Sequence, residues 1–233
     1  MPRDRANDEL RPVRLICGYT EATPGSVLIE MGRTRVLCTA SIEREVPRWM
    51  RDTGRGWVTA EYGMLPGSSP ERIKRDQYLG GRSKEISRLI GRALRSAVAL
   101  DRMGEAMVRV DCDVLEADGG TRTAAITGAW VALHDALVAG AAENLVSAEA
   151  LVDHVAAVSV GVVNGEVLLD LEYESDVAAD VDMNVVMTGR GLLVEVQGTA
   201  EKAPFTRAEL DQMLDLAQKG IDELIGLQKQ AIE

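Results

Sequence analysis

The chain has 233 residues, of which 46% are hydrophobic and 27% charged, a composition typical of a globular protein that can build a sizeable core. Its net charge of −11 argues at first sight against a nucleic-acid partner, because a polyanion repels a chain of that sign. The N-terminus MPRDRANDELRPV is polar and no apolar run approaches the length of a membrane span, so we expect a cytoplasmic protein with no membrane partner.

Short apolar stretches open the chain, separated by glycine, proline or charged turns, and they predict β-strands. These stretches are 12–17, 25–31, 34–42 and 56–64. The three cysteines, Cys17, Cys38 and Cys112, all lie in strand-like stretches and lack the paired spacing of a zinc site. We therefore expect three reduced thiols in the core.

Basic residues are concentrated between Arg44 and Arg95, where twelve arginines and lysines stand against six acidic residues. This asymmetry indicates that one face binds a polyanion while acidic surfaces elsewhere maintain solubility. A merely arginine-rich surface is the alternative. The stretch 66–81, PGSSPERIKRDQYLGG, forms a long loop inside the basic segment, and loops of that length are usually functional or disordered.

The period of the apolar pattern changes after this loop. From Glu85 the apolar residues fall on one helical stripe, and Gly104 supplies a stop signal, which predicts a helix. VRVDCDV at 108–114 then alternates as a strand does. A second helix is expected from about 123 to about 138, so the turn DGGTR at 118–122 links a strand to a helix.

Two strand pairs and a helix are expected in the last third of the chain. Asn164-Gly165 joins two apolar runs and is the strongest short hairpin signal. A second pair is expected within 181–198. The last helix begins at Thr206, where Glu209 can complete a capping box. The whole pattern predicts an α+β fold, a single compact domain of mixed sheets backed by helices.

The turn at 118–122 has the composition of an anion site. A helix start presents unpaired backbone N–H groups and the positive end of the helix dipole, and glycines allow a ligand to approach closely. Thr121 and Arg122 add a hydroxyl and a guanidinium, so phosphate is the candidate anion. A plain turn with a solvated arginine is the alternative. A P-loop is excluded, because GGTRT lacks the Gly-Lys-Ser/Thr ending.

Several long phrases resemble the ribonuclease PH family, in the family's order and over most of the first 200 residues. They are DELRPV, GRGWVTAEYGMLP, EISRLIGRALR, VDCDVLEADGGTRTAAITGAWVAL and VDMNVVMTG. The resemblance implies one ribonuclease PH domain over 1–233, with the phosphate-binding turn in a first part at about 10–140. The catalytic aspartates and the C-terminal helix fall in a second part at about 155–233.

The resemblance also implies an activity. It is that of a phosphate-dependent 3′→5′ exoribonuclease that trims tRNA precursors and releases nucleoside diphosphates. Inorganic phosphate, the co-substrate, maps onto Arg82, Gly120, Thr121 and Arg122. Because phosphate must approach a phosphodiester that is itself negative, guanidiniums, a hydroxyl and N–H donors are needed to offset the repulsion. The alternatives are that Arg82 pairs with a helical glutamate such as Glu85, and that Thr121 is only an N-cap.

By the same resemblance, Asp176 and Asp182 are the catalytic pair, the first at the end of a loop and the second on a strand that begins near Val181. Two close carboxylates raise each other's proton affinity, so one can protonate the leaving 3′-oxygen near neutral pH. We favour Asp182 as this acid and Asp176 as a ligand of Mg²⁺ with the substrate phosphates. Both are candidate metal ligands.

RNA contacts are expected from Arg55, Arg72, Lys74 and Arg75. They should engage the RNA backbone, because 3% aromatic residues provide little material for a stacking platform. The resemblance implies a homo-oligomer, a hexameric trimer of dimers in which arginines of a neighbouring subunit can contact the RNA.

Several positions depart from the family's pattern. Glu71 and Asp76 interrupt the basic loop, and we expect weaker RNA binding. Glu116 adds negative charge beside the phosphate turn, where the family has glutamine. A further acidic set could hold a second metal, although partnership with neighbouring arginines is favoured. Its members are Asp111, Asp113 and Asp118.

Two other functions stay open. A hydrolytic, metal-dependent nuclease would use the aspartates alone, release monophosphates without added phosphate, and leave Arg82 and Arg122 unexplained. A non-catalytic ring subunit would be expected to have lost part of the arginine or aspartate set. All of these residues are present, so catalysis by phosphorolysis is preferred.

Overall fold

The structure, a computed structural model, describes residues 3–75, 80–147 and 149–233. These residues form two β-sheets and four α-helices. The fold is therefore α+β, as the sequence predicts.

The first sheet has five strands in the order β1-β2-β3-β5-β4. Its neighbours are antiparallel except β4 and β5, which are parallel and are joined by a helical crossover. The strands are β1 (Val13–Cys17), β2 (Gly25–Met31), β3 (Thr34–Glu43), β4 (Trp57–Met64) and β5 (Met107–Glu116). The apolar stretches at the start of the chain and the alternating stretch 108–114 thus form strands, as predicted.

The second sheet is antiparallel throughout, in the order β7-β6-β8-β9. Its strands are β6 (Val155–Val163), β7 (Glu166–Leu169), β8 (Val181–Thr188) and β9 (Leu193–Ala200). Asn164 and Gly165 join β6 to β7 with φ values of +52° and +80°, the left-handed conformation that a tight hairpin requires. Both predicted strand pairs are confirmed.

Four helices cover the sheets: α1 (Gly81–Ser96), α2 (Thr121–Ala142), α3 (Tyr173–Ala178) and α4 (Arg207–Ile232). Helix α2 contacts β2 and β3 of the first sheet and β6 of the second, so it lies between the sheets. Thr206 caps α4, since its hydroxyl accepts from the Glu209 backbone and its own N–H donates to the Glu209 carboxylate at 2.6 Å. The predicted capping box is confirmed.

Helix α2 alone, within the described ranges, is long and apolar enough by composition to cross a membrane, with a hydropathy of 1.3. Such a run was not expected from the sequence. Within the most apolar 18-residue window of α2, 72% is buried inside the protein, as expected for a core helix packed between two sheets. The burial arises because small residues let both sheets approach the helix closely.

Two expectations about boundaries and burial are corrected. Helix α1 begins at Gly81 and not at Glu85, where the apolar pattern begins. The pattern missed the first turn because this turn is exposed and lacks the apolar stripe of the remaining helix. Cys38 and Cys112 are buried free thiols, but Cys17 is exposed. Cys17 ends the edge strand β1, where only one neighbouring strand covers it.

Candidate active site

The candidate site lies where segments from both halves of the chain meet. Strand β5 ends at Glu116, and the following turn leads into α2. Gly119 in this turn has a φ of +76°, and a Cβ atom there would lie 2.5 Å from the carbonyl oxygen of Leu171. The turn therefore packs on the backbone that precedes α3, a contact that requires glycine.

A buried ion pair between Arg11 and Asp170 supports this turn. Arg11 donates from Nη2 to Oδ1 of Asp170 at 2.7 Å and from Nε to Oδ2 at 2.9 Å. The same guanidinium donates from Nη1 to the carbonyl oxygen of Asp118 at 2.5 Å. Because Asp118 lies just before α2 and Asp170 just before α3, the pair fixes the starts of both helices relative to each other.

Helix α2 begins without a side-chain cap. Its N-cap is Gly120, with a φ of +65°, and Thr121 is the first helical residue. The alternative that Thr121 serves as the N-cap is therefore not supported. Its hydroxyl instead lies 2.8 Å from the hydroxyl of Tyr62 on β4. The uncapped helix end offers backbone N–H groups and positive potential to an anion.

Arg122 is held between strand β9 and helix α1. Its Nη1 donates to Oε1 of Gln197 on β9 at 2.8 Å and lies 3.5 Å from Oε1 of Glu85 on α1. Gln197 in turn donates to Glu85 at 3.2 Å. Glu85 therefore pairs with Arg122, and the alternative in which it pairs with Arg82 is not what the structure has.

Arg82 lies in the first, exposed turn of α1. In the described part of the chain it forms no ion pair. It borders a cleft of about 300 Å³ that is also lined by Tyr62, Met64 and Ile73. An unpaired guanidinium at the edge of a cleft is free to bind an incoming anion.

The two candidate aspartates lie near each other and near both arginines. Asp182 is on β8, as predicted, whereas Asp176 lies in the short helix α3 rather than at a loop end. Partial desolvation raises the pKa of Asp176, and the Asp182 carboxylate raises it further, while Arg82 and Arg122 oppose the rise. Asp182, Arg82 and Arg122 thus all act on Asp176, although the four groups come from three helices and a strand.

The two aspartates provide part of the ligand set that a divalent cation needs. Oδ1 of Asp182 is buried, and no hydrogen-bond donor among the described residues reaches it. A buried carboxylate oxygen without a donor needs a proton or a cation. The described residues contain no group of three or more His, Cys, Asp or Glu suited to a metal. Mg²⁺ commonly uses one or two carboxylates together with substrate phosphates, and this pair suits that arrangement.

Four exposed residues are predicted to bind RNA: Arg55, Arg72, Lys74 and Arg75. Among the described residues, none of the four has an ion-pair partner. Asp76, one of the two acidic residues expected to weaken RNA binding by the loop, lies outside the described residues. Glu116 lies 3.0 Å from Arg35 and 3.6 Å from Arg33, so two guanidiniums offset its charge.

The second acidic set does not form a metal cluster in the part of the chain that the structure describes. Asp111 is half-buried, and burial raises its pKa while Arg109 opposes the rise. Asp118 contributes its backbone carbonyl to Arg11. Arg109 and Arg11 thus influence these two aspartates electrostatically, but Arg109 donates to Glu43 at 3.0 Å, so the expected pairing of the carboxylates with arginines stays a prediction.

Sequence reasoning missed several residues of the site. Tyr62 was part of a quoted phrase but had no role, and Gln197 and Asp170 were not considered. The contacts of these residues join positions 59 to 159 residues apart. The phrases DELRPV and GRGWVTAEYGMLP could have drawn attention to Arg11 and Tyr62, whereas none of the quoted phrases contains Asp170 or Gln197.

The chain matches the models of a 3′ exoribonuclease family, domain 1 over residues 9–139 and domain 2 over residues 153–220. It is 57% identical to a ribonuclease PH of Corynebacterium kroppenstedtii over 231 residues, covering 98% of this chain and 91% of that protein. It is 54% identical to a ribonuclease PH of Methylobacterium radiotolerans over 234 residues, covering 99% of each.

Solved structures with the same fold include an Archaeoglobus fulgidus exosome with RNA bound to the active site. The TM-score is 0.82 at 23% identity, over 95% of this chain and 90% of the other. Rice (Oryza sativa) Rrp46 aligns with a TM-score of 0.79 at 17% identity, over 99% of both chains. At these identities the likeness concerns the fold alone.

Proposed function

We infer the function of this chain from its family, since it belongs to the 3′ exoribonuclease family along both of its halves. It is a phosphorolytic 3′→5′ exoribonuclease, a nucleotidyltransferase that passes the terminal nucleotide of an RNA to inorganic phosphate. Its relatives at 57% and 54% identity are named ribonuclease PH, whose known role is tRNA processing. The substrate proposed here is a 3′-extended tRNA precursor.

One observation supports this function above the others: Arg82 and Arg122 act electrostatically on Asp176, as Asp182 does. A hydrolytic nuclease needs only the carboxylates and a metal, and the arginines would then have no function at the site. Phosphorolysis needs the arginines as well as the carboxylates, because an anionic nucleophile must be bound beside an anionic substrate. The complete set also argues against a non-catalytic subunit.

In the proposed mechanism, phosphate binds to Arg82, to Arg122, to the Thr121 hydroxyl and to backbone N–H groups at Gly120 and beyond. The guanidiniums offset the repulsion between phosphate and the RNA phosphodiester. A phosphate oxygen then attacks the phosphorus that links the last two nucleotides. The bond from this phosphorus to the 3′-oxygen breaks, and the last nucleotide leaves as a nucleoside diphosphate.

The leaving 3′-oxygen takes a proton or is stabilised as its charge develops. Asp182 is the preferred acid because its strand fixes its direction, and because its buried Oδ1, which no described donor reaches, can hold the proton. Asp176 would hold Mg²⁺, and the Asp182 carboxylate would be a second ligand once its proton has passed to the 3′-oxygen. When bound, this ion neutralises charge on the substrate phosphates.

We further propose a homohexamer, arranged as a trimer of dimers, in the cytoplasm. Strand β9 is an edge strand of the second sheet, and three apolar side chains on or beside it are 40–56% exposed. They are Leu192, Leu193 and Val196. An exposed apolar edge of this kind is normally covered by another chain. The exosome assemblies among the structural neighbours support an oligomer.

The decisive test is the identity of the released nucleotide. Purified protein incubated with a 3′-extended RNA and Mg²⁺ is expected to release nucleoside diphosphates only when inorganic phosphate is added. Release of monophosphates without phosphate would instead establish a hydrolase. RNA binding with no release in either condition would favour the non-catalytic subunit.

The basic loop should govern RNA affinity without affecting phosphate binding. Substituting Arg72, Lys74 and Arg75 together by alanine is expected to raise the KM for RNA about tenfold. The slope of log KM against log salt should fall by about two, because each phosphate contact with a single strand contributes about 0.7. Steady-state kinetics at several salt concentrations measure both quantities.

A matched control removes three arginines that are also exposed but lie outside the basic segment. They are Arg14, Arg102 and Arg207, whose side chains are 53–81% exposed. If this control variant loses as much RNA affinity and salt dependence as the loop variant, the loop is not the RNA contact.

A further inference from the structure

Tyr62 is a buried aromatic residue that no step of the proposed mechanism uses. It lies on β4, is 4% exposed, and is fixed at its backbone by a hydrogen bond from its N–H to the Ser87 hydroxyl on α1 at 2.9 Å. Its own hydroxyl reaches Thr121 Oγ1 on α2 at 2.8 Å. The side chain thus ends between the first turns of the two helices that carry Arg82 and Arg122.

The direction of this hydrogen bond follows from the chemistry of the ligand. Each hydroxyl has one proton, and the 2.8 Å contact allows either to donate. Fully ionised oxygens of phosphate and of a phosphodiester only accept. If Thr121 donated to Tyr62, the Thr121 proton would be engaged in that hydrogen bond, and the Thr121 oxygen would present a lone pair to the anion. If Tyr62 donates, the Thr121 proton is free to point at the anion.

We propose that Tyr62 is a positioning residue, which donates its hydroxyl proton to Thr121 and thereby directs the Thr121 hydroxyl proton towards bound phosphate. This inference rests on the proposed function, since it specifies how one of the phosphate ligands is oriented. Fixing a rotatable hydroxyl before the ligand arrives reduces the entropy cost of binding.

Burial favours a Tyr62 that stays protonated and donating. Burial raises the pKa of Tyr62, and this effect outweighs the opposing influence of the Thr121 hydrogen bond and of Arg82 and Arg122. A phenol beside two guanidiniums could otherwise ionise and become an acceptor. Tyr62 and Arg82 line the same cleft, so Tyr62 borders the space through which an anion would approach Arg82.

The experiment is a double-mutant cycle on the KM for phosphate, with Tyr62→Phe, Thr121→Val and the double variant. Tyr62→Phe should raise this KM about three- to tenfold with kcat changed less than twofold, as expected for a lost orientation that acts on ground-state binding. Thr121→Val should raise it further. In the double variant, Tyr62→Phe should add nothing, because the hydroxyl that it directs is absent.

Two controls separate this role from a structural one. Tyr19→Phe removes the hydroxyl of a tyrosine that is 49% exposed, and it should leave the KM for phosphate unchanged. The rise in melting temperature on adding phosphate, measured for each variant from its own starting value, reports binding even where a variant is less stable.

The outcomes are distinct. If Tyr62→Phe leaves the KM for phosphate within twofold of the parent, or raises it equally with and without the Thr121 hydroxyl, Tyr62 does not act through Thr121 and the proposal is overturned. If Thr121→Val itself has no effect on phosphate binding, the assignment of Thr121 under the proposed function fails instead. The expected result is an effect of Tyr62→Phe that depends on Thr121.

Discussion

Arg122→Ala is expected to reduce kcat/KM for phosphate by about 10³-fold, because the variant loses a guanidinium that offsets charge in both the bound state and the transition state. The side chain is held by Gln197 and Glu85, so it is fixed in place before phosphate arrives. Arg122→Lys keeps the charge but loses the planar fork and should recover only part of the activity. Phosphate-dependent release of nucleoside diphosphate measures the effect.

Two further variants define the cause of this loss. Arg122→Ala also leaves Glu85 without its cationic partner, beside an anion site. The double variant Arg122→Ala/Glu85→Gln lacks this added repulsion. If its kcat/KM for phosphate is more than about tenfold above that of Arg122→Ala, then Glu85, and not the missing guanidinium, limits the single variant. Arg102→Ala removes an exposed arginine that pairs with Glu149, far from the site in the described fold, and should retain full activity.

Asp170→Asn is expected to destabilise the fold by about 3–5 kcal/mol, the usual cost of breaking a buried ion pair and leaving one charge uncompensated. Asp170 is 1% exposed and Arg11 is 5% exposed, so water cannot replace the lost partner. Asp170 has a φ of +56°, which asparagine tolerates, and the backbone should therefore be kept. Urea unfolding at neutral pH measures the change in the free energy of unfolding.

The same pair gives the protein a defined acid sensitivity. Burial alone would raise the pKa of Asp170, but the hydrogen bonds and the charge of Arg11 outweigh burial, and the pKa lies below its ordinary value of 3.8. The contribution of the carboxylate to stability is therefore complete above the ordinary value and is lost as the pH falls through the lower, folded value. Asp170→Asn should remove this part of the pH dependence.

The exposed ion pair between Asp8 and Lys219 provides a matched control from the same N-terminal segment. Its shortest contact is 2.6 Å, but both side chains are largely exposed, so solvent screens the interaction. Asp8→Asn should change the unfolding free energy little. If it costs as much as Asp170→Asn, burial of the Arg11 pair is not what makes it stabilising.

Local patterns in the sequence determined most of the secondary structure. Alternation over two residues located strands such as β5, and a stripe over three to four residues located most of α1, because these periods follow from the geometry of one element. The hairpin at Asn164-Gly165 and the Thr206–Glu209 capping box involve neighbours within three residues. Each is a property of a short stretch of chain and needs no tertiary contact.

The sequence also supplied the chemical groups of the site, through the phosphate-like turn and through phrases that resemble one family. Arg82, Thr121, Arg122 and the aspartates were all named from it. Helix α3 was missed, because six residues are too few to show a helical period. The exposed position of Cys17 was missed as well, since the apolar pattern of a strand does not show which strand forms the edge of a sheet.

Only the tertiary structure decided which of these groups meet. Glu85 lies three residues from Arg82 on one helix, yet it pairs with Arg122 of another helix. Tyr62 meets Thr121, and Arg11 meets Asp170, across large separations in the chain. Such contacts depend on how two sheets pack around α2, which is fixed by the burial of many apolar side chains together. No local period in the sequence encodes that arrangement.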